Sequence, residues 1–194
     1  MPRYSHISVA VPAMDELCNI PQLVAMLEAQ TVQDFSLYVC VNHPDAWWNG
    51  TPFEQRVCMA DTDTISLLKS VGSLDVHIID RCTPGNGWEG KQSGGGWARK
   101  LLFEQIKKDH QSDPNELIVS LDADTYIDED YLEKVLHTMN ADPEASALAV
   151  PYYHPLSGWD DTDRAMLRYE CYMRYYLIRL LKICNPYAFS ALGS

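Results

Sequence analysis

Asp122 and Asp124, separated by one alanine, close the apolar run Glu116-Leu-Ile-Val-Ser-Leu. Residues two apart on an extended chain point the same way, so both carboxylates can converge on one object beyond the strand's end. Two converging carboxylates repel unless something positive lies between them. A hard divalent cation such as Mg²⁺ or Mn²⁺, which takes oxygen ligands and shares itself with substrate phosphates, suits that place. In an open α/β sheet the ligand crevice lies at the carboxyl ends of the strands, where this pair falls. The competing reading is a helix N-terminus, with Asp124 or Thr125 as cap and Asp128, Glu129 and Asp130 favouring the first turn.

The stretch from Thr83 to Gly96 holds six of the ten glycines. Gly85 to Gln92 stops one residue short of a Walker A loop, because Gln92 stands where a Ser or Thr should meet Mg²⁺. The stretch reads instead as a mobile cover that orders over a diphosphate. Its backbone amides, Lys91, Arg99 and Lys100 would face the phosphates, and the helix opening near Trp97 would add positive potential. A plain surface loop before an amphipathic helix is the alternative.

These groups must be carried by regular elements. His6 to Pro12 reads as a strand stopped by its proline, followed by a helix from about Asn19 with Pro21 in its first turn. Leu37 to Val41 is a second strand that runs into a turn at Asn42-His-Pro-Asp45. Residues 45–60 look irregular, and a short helix over 61–71 would be capped by Asp61 or Thr62. A third strand at Val76 to Ile79, a helix from Trp97 to His110, the carboxylate strand, a helix from Glu129 to Met139 and a strand from Ala145 to Val150 complete the alternation. Such alternation predicts an α/β fold, a mostly parallel sheet with helices on both faces. From Asp160 to Cys184 a long helix sets Tyr169, Tyr172, Met173, Tyr176 and Leu180 on one face, to cover the fold or to meet a partner or a membrane surface.

The 194 residues suffice for one domain with a sizeable core. A net charge of −12 argues against a nucleic-acid backbone or an anionic membrane as partner. No apolar run approaches the length of a spanning helix and no apolar signal segment opens the chain, which suggests a cytoplasmic protein, at most peripheral at the membrane. Six scattered cysteines without a C-x-x-C pair read as reduced thiols. No histidine pair has metal-ligand spacing along the chain.

The segment Val9-Ala-Val-Pro12-Ala-Met-Asp15-Glu16 resembles the opening strand of family 2 glycosyltransferases, where apolar residues, Pro and two variable positions precede Asn-Glu. Leu37 to Asn42 resembles the second strand, Gly96-Trp-Ala98-Arg99-Lys100 the Gly-x-Ala-Arg-Asn segment, and Asp122-Ala-Asp124 the Asp-x-Asp. Four matches in order cover roughly residues 6–150. Asp15, Asn42 and Lys100 depart from the usual Asn, acidic residue and Asn.

The resemblance implies a GT-A (Rossmann-like) domain spanning residues 1–194 and lacking its acceptor-binding half, so that the chain looks like part of a longer protein. It implies inverting transfer from a nucleotide-diphosphate sugar to a saccharide or other hydroxyl acceptor. Asp124 would be the principal metal ligand, with Asp122 on the metal, its water or the ribose. Pro12, Met14, Glu16 and Asn42 would line the base and ribose pocket, and Arg99 and Lys100 would lie near the phosphates. The general base is not identified, since Glu170 is the only acidic residue after Asp163. Two other classes stay open: a non-catalytic nucleotide-binding or scaffold module, and a haloacid-dehalogenase-type phosphatase, whose Asp-x-Asp sits early in its fold.

Overall fold

The structure is a computed structural model that describes residues 3–90, 93–185 and 188. Two compact units divide the chain, Met1–Glu144 and Ala145–Ser194. The first is built on a four-stranded, wholly parallel sheet of order β3-β2-β1-β4, with β1 His6–Ala13, β2 Phe35–Asn42, β3 Asp75–Arg81 and β4 Glu116–Ser120. Every residue of β2 is buried, as a strand covered on both faces requires.

Pro12 does not stop β1, which continues to Ala13 in register with Val41. The reason is the sheet's stagger. Ala10 O accepts from Leu121 N at 3.1 Å, so Pro12, two residues on, turns its missing N–H to the same side, where β4 has already ended. No ladder bond is lost.

Helix α1 (Ile20–Glu28) and helix α2 (Pro52–Ser70) make the successive crossovers from β1 to β2 and from β2 to β3. Helix α3 (Gly95–Asp109) returns the chain to β4 on the far side of β1. Ala98, Leu102 and Ile106 of α3 pack with Ala10, Tyr38 and Cys40, the even-numbered face of β1 and β2. The odd-numbered residues Val9, Val11, Leu37 and Val39 point the other way and are equally buried. Each buried aliphatic side chain of this kind contributes roughly 1.5–3 kcal/mol by transfer from water.

Two further expectations fail here. Residues 45–60 are not irregular: a 3₁₀ turn occupies Asp45–Asn49, and α2 starts at Pro52, nine residues before the position expected. Thr51 is its cap in a reciprocal capping box, Glu54 N donating to Thr51 Oγ1 at 3.3 Å and Thr51 N to Glu54 Oε2 at 2.6 Å. Asp61 and Thr62 therefore lie inside the helix. Residues 145–150 form no strand; the run is largely exposed and pairs with no strand among the described residues.

Helix α4 (Tyr131–Ala141) is tied to both ends of the first βα unit. Gln30, past α1, donates to Asp128 O at 2.8 Å and accepts from Leu132 N at 3.0 Å. Asn140 exchanges two bonds with the Tyr4 backbone, at 2.8 and 3.0 Å. In the second unit, helix α5 (Asp160–Lys182) buries Met173 and leaves Tyr169, Tyr172 and Tyr176 exposed.

Candidate active site

The two carboxylates follow β4, which ends at Ser120, and lie in the turn beyond it and not on the strand itself. Leu121 and Ala123 turn inward and are buried, Asp122 is partly exposed and Asp124 exposed. Neither aspartate caps a helix; Thr125 N bonds to Asp122 O at 3.1 Å in a turn, and α4 starts only at Tyr131. Asp124 makes no hydrogen bond or ion pair with the described residues.

Glu16, in the loop after β1, is close enough to this pair to feel both charges. Burial raises its carboxyl above the usual range; a hydrogen bond from Asn19 opposes the rise, and the charges of Asp124, Asp122 and Asp15 add to it. Three carboxylates from two loops thus share one electrostatic neighbourhood at the C-terminal edge of β1 and β4.

Arg99 reaches this cluster because α3 packs Ala98 and Leu102 onto the sheet, and its Nη2 donates to Asp122 Oδ1. The arginine is thus paired with a carboxylate. Its Nε is buried and has no partner among the described residues. Lys100 points elsewhere: its Nζ lies 3.8 Å from Glu104 and 4.7 Å from the Trp97 ring centre. Lys91 lies outside the described residues. The α3 N-terminus carries no side-chain cap, and Gly94 before it has φ +89° and ψ −179°, a conformation open essentially to glycine alone.

Of the proposed pocket residues, Met14 is exposed, and Pro12 and Glu16 are partly buried at the same strand end. Asn42 is buried with its side chain fully engaged: Nδ2 donates to Ala13 O and Cys40 O at 3.0 and 3.3 Å, and Oδ1 accepts from Trp88 Nε1 at 2.9 Å. It ties three segments together. The first half of the glycine-rich stretch is anchored through that tryptophan rather than free. Trp88 N donates to His43 O at 2.9 Å, Asp45 N to Trp88 O at 3.0 Å and Gly85 N to Asp45 Oδ1 at 2.7 Å. A Cβ on Gly87 would stand 2.6 Å from the Asp45 backbone, so the two strands of this clasp touch.

Beneath the clasp lies a pair that sequence reasoning missed. His43 Nδ1 and Asp61 Oδ2 are 2.8 Å apart with both side chains fully buried, and Asp61 Oδ1 accepts from Asp15 N at 2.8 Å. Asp15 has φ +59°, unusual for a non-glycine residue, and Arg56 grips its carboxylate with two bonds of 3.1 and 3.0 Å. The loop bearing Met14 and Glu16 is held from below. Helical phase was the available signal: Val57, Asp61, Ile65 and Leu68 fall on one stripe, which buries.

Glu170 is held in its own unit. His154 Nδ1 lies 2.7 Å from Glu170 Oε1, His154 N donates to the same oxygen at 3.1 Å, and Arg174 is 3.4 Å from Oε2. The His154 side-chain bond first, then that backbone bond and Arg174, outweigh partial burial and keep this carboxyl below the usual range. Among the described cysteines none is bridged, and burial above all pushes the Cys40 thiol up to about 12.

A groove lined by Met26, Ile127 and Lys134 runs along the outer side of α1, and neither Asp122 nor Asp124 lines it. No described helix is long and apolar enough to cross a membrane.

The model of "Glycosyl transferase family 2" matches residues 88–191, more than half of the chain. The protein belongs to glycosyltransferase family 2, and its parallel sheet with flanking helices is the α/β fold that the resemblance implied. The phosphatase alternative falls with that assignment. Among solved structures, S. aureus TarS 1-349 in complex with UDP is similar at 16% identity and TM-score 0.49, over 76% of this chain and 38% of that one. The same protein in complex with UDP-GlcNAc gives 15%, 0.47, 76% and 37%. The chain thus spans less than two-fifths of the length of either. No curated protein matches it.

Proposed function

We propose that this chain binds the donor of an inverting glycosyltransferase, a nucleotide-diphosphate sugar, together with Mg²⁺ or Mn²⁺ at Asp124 and Asp122. The observation that supports this most is the carboxylate cluster of Asp122, Asp124 and Glu16 at the C-terminal ends of β1 and β4. The donor set fits a hard cation: all ligands are oxygens, Asp124 has no described partner, and the cluster's own charges already disfavour ionising Glu16.

Bound there, a divalent cation supplies Lewis-acid stabilisation of the charge that develops on the departing diphosphate. The chain's own residues do the rest. Arg99 holds Asp122 in place and offsets part of the cluster's charge. The uncapped N-terminus of α3 offers backbone N–H groups and a positive dipole end to phosphate. Met14 and Pro12 present apolar surface for the base, and Asn42 fixes the floor between β1, β2 and Trp88. Lys100, turned to Glu104, is left out of the phosphate contacts in this arrangement. A saccharide or other hydroxyl compound is the acceptor. Glu170 is a poor candidate for its base, because the bonds that lower its pKa also weaken its pull on a proton.

Calorimetry with a panel of nucleoside diphosphates, with and without Mn²⁺, tests the reading. Asp124→Ala should abolish the metal-dependent gain in affinity. Equal affinity in EDTA, or an unaffected Asp124→Ala variant, overturns it. Metal-dependent hydrolysis or transfer from a donor sugar separates an enzyme from a nucleotide-binding module.

A further inference from the structure

At the opposite end of the same strands, β1, β4 and the end of α3 bring together His6, Glu116 and His110. His6 and Glu116 are register partners across the β1–β4 ladder, and His110 is the residue that closes α3. One oxygen faces both rings: Glu116 Oε2 lies 3.0 Å from His6 Nδ1 and 3.2 Å from His110 Nδ1. All three ligand atoms lie within 4.8 Å of one another, and no other set of three or more potential ligands among the described residues does so.

We propose that His6, His110 and Glu116 form a zinc site that clips α3 to β1 and β4. Tetrahedral Zn²⁺ with ligands at about 2.0–2.1 Å holds them roughly 3.3 Å apart; the two carboxylate–imidazole distances, 3.0 and 3.2 Å, fit that spacing, and the imidazole nitrogens lie within 4.8 Å of each other. Two imidazoles and one carboxylate, with an open fourth position for water, are a donor set that zinc takes and Mg²⁺ does not. The surroundings order the ligands as outer-shell groups do at such sites. Ser8 Oγ donates to Glu116 Oε1 at 2.6 Å, while His110 Nε2, the nitrogen left over when Nδ1 binds metal, lies 3.4 Å from both Ser8 Oγ and Tyr38 OH. Glu116 is nearly buried, whereas the two histidines are about a quarter exposed, which leaves an entry path from solvent.

The site is separate from the reacting end. Glu116 opens β4 and Asp122 lies beyond its last residue, Ser120, so the length of the 5-residue strand, about 16 Å at ~3.3 Å per residue, parts them. Bound there, zinc would staple the edge strand that leads to Asp122 and Asp124 to the helix that carries Arg99. The inference does not depend on the reaction proposed above.

The test is zinc titration of the whole chain against a chromophoric chelator, with circular dichroism to verify folding. One zinc per chain should bind, and His6→Ala and His110→Ala should each weaken it by more than the roughly 10–100-fold that losing an outer-shell group costs. Ser8→Ala should fall within that smaller range, excess Mg²⁺ should not displace the zinc, and Asp124→Asn should keep it. Zinc should raise the Tm of the wild type and not that of folded His110→Ala. Absence of stoichiometric binding, or binding that both histidine variants retain, overturns the site and leaves a carboxylate hydrogen-bonded to two imidazoles.

Discussion

At the scale of single residues, the buried Asp61 carries more than its own helix. It joins His43 on one oxygen and the Asp15 backbone on the other, so its loss strands a buried imidazole and an amide together. Removing one partner of a buried pair typically costs about 3–5 kcal/mol. Asp61→Ala should lose on that order in urea denaturation and weaken nucleotide binding by loosening the Met14–Glu16 loop, although no atom of Asp61 belongs to the carboxylate cluster. Asp61→Asn, which keeps an acceptor, should lose less; equal loss in both would put the effect in packing rather than hydrogen bonding. Asp80 behaves differently because it titrates. Burial pushes its carboxyl up, but bonds from the Thr83 hydroxyl and amide, the Cys82 amide and Asn86 outweigh this and hold it at about 2. A carboxylate with a lowered folded pKa stabilises the fold above its unfolded value near 3.9 and loses that contribution as pH falls toward 2. With partial exposure discounted, the sum is on the order of 1–2 kcal/mol. Denaturation at pH 6 and pH 2.5 should show this difference for the wild type relative to Asp80→Asn.

At the scale of elements, the glycine-rich stretch divides where its anchors stop. Trp88, Asp45 and Gly85 amides all have partners at 2.7–3.0 Å, so the clasp between residues 43–45 and 85–88 belongs to the folded sheet end. Hydrogen exchange should show these three amides protected without ligand and unchanged by nucleotide and metal. Trp88→Ala should release them together. If they exchanged freely in the ligand-free protein and slowed with nucleotide, the mobile cover expected over the whole of 83–96 would be restored. Glycine density alone did not distinguish a mobile loop from one that needs glycine for close approach, and Gly87 against the Asp45 backbone is the second kind.

For the whole molecule, the division near residue 144 separates the groups proposed to bind the donor from the long amphipathic helix. Asp122, Asp124, Glu16, Arg99 and Asn42 all belong to the first unit, while the connection from 142 to 159 has no regular structure and is mostly exposed. Limited proteolysis should cut first in that connection. The resulting N-terminal fragment should keep metal-dependent nucleotide binding; a fragment that binds nothing would make the second unit part of the donor site.

Much of the succession of strands and helices along the chain, and the Asp-x-Asp that follows β4, was legible in the sequence because local periodicity carries it. A β-branched run ending in Asp-x-Asp, and helices with apolar residues at three- and four-residue spacing, name their own elements. The resemblance then joined those elements to a family, and the match over residues 88–191 bears it out. Thr51-Pro-Phe-Glu54 also stated its capping box, but two nearby tryptophans and a turn cluster masked the signal, and the start of α2 was displaced to Asp61. Tertiary structure alone decided the rest. That Asp61 is buried under Asp15, that Arg99 pairs with Asp122 while Lys100 does not, and that His6, His110 and Glu116 meet are consequences of strand register and of how α3 lies on the sheet. Partners 46, 23 and 110 residues apart share no local pattern, because only the packed sheet brings their side chains within reach.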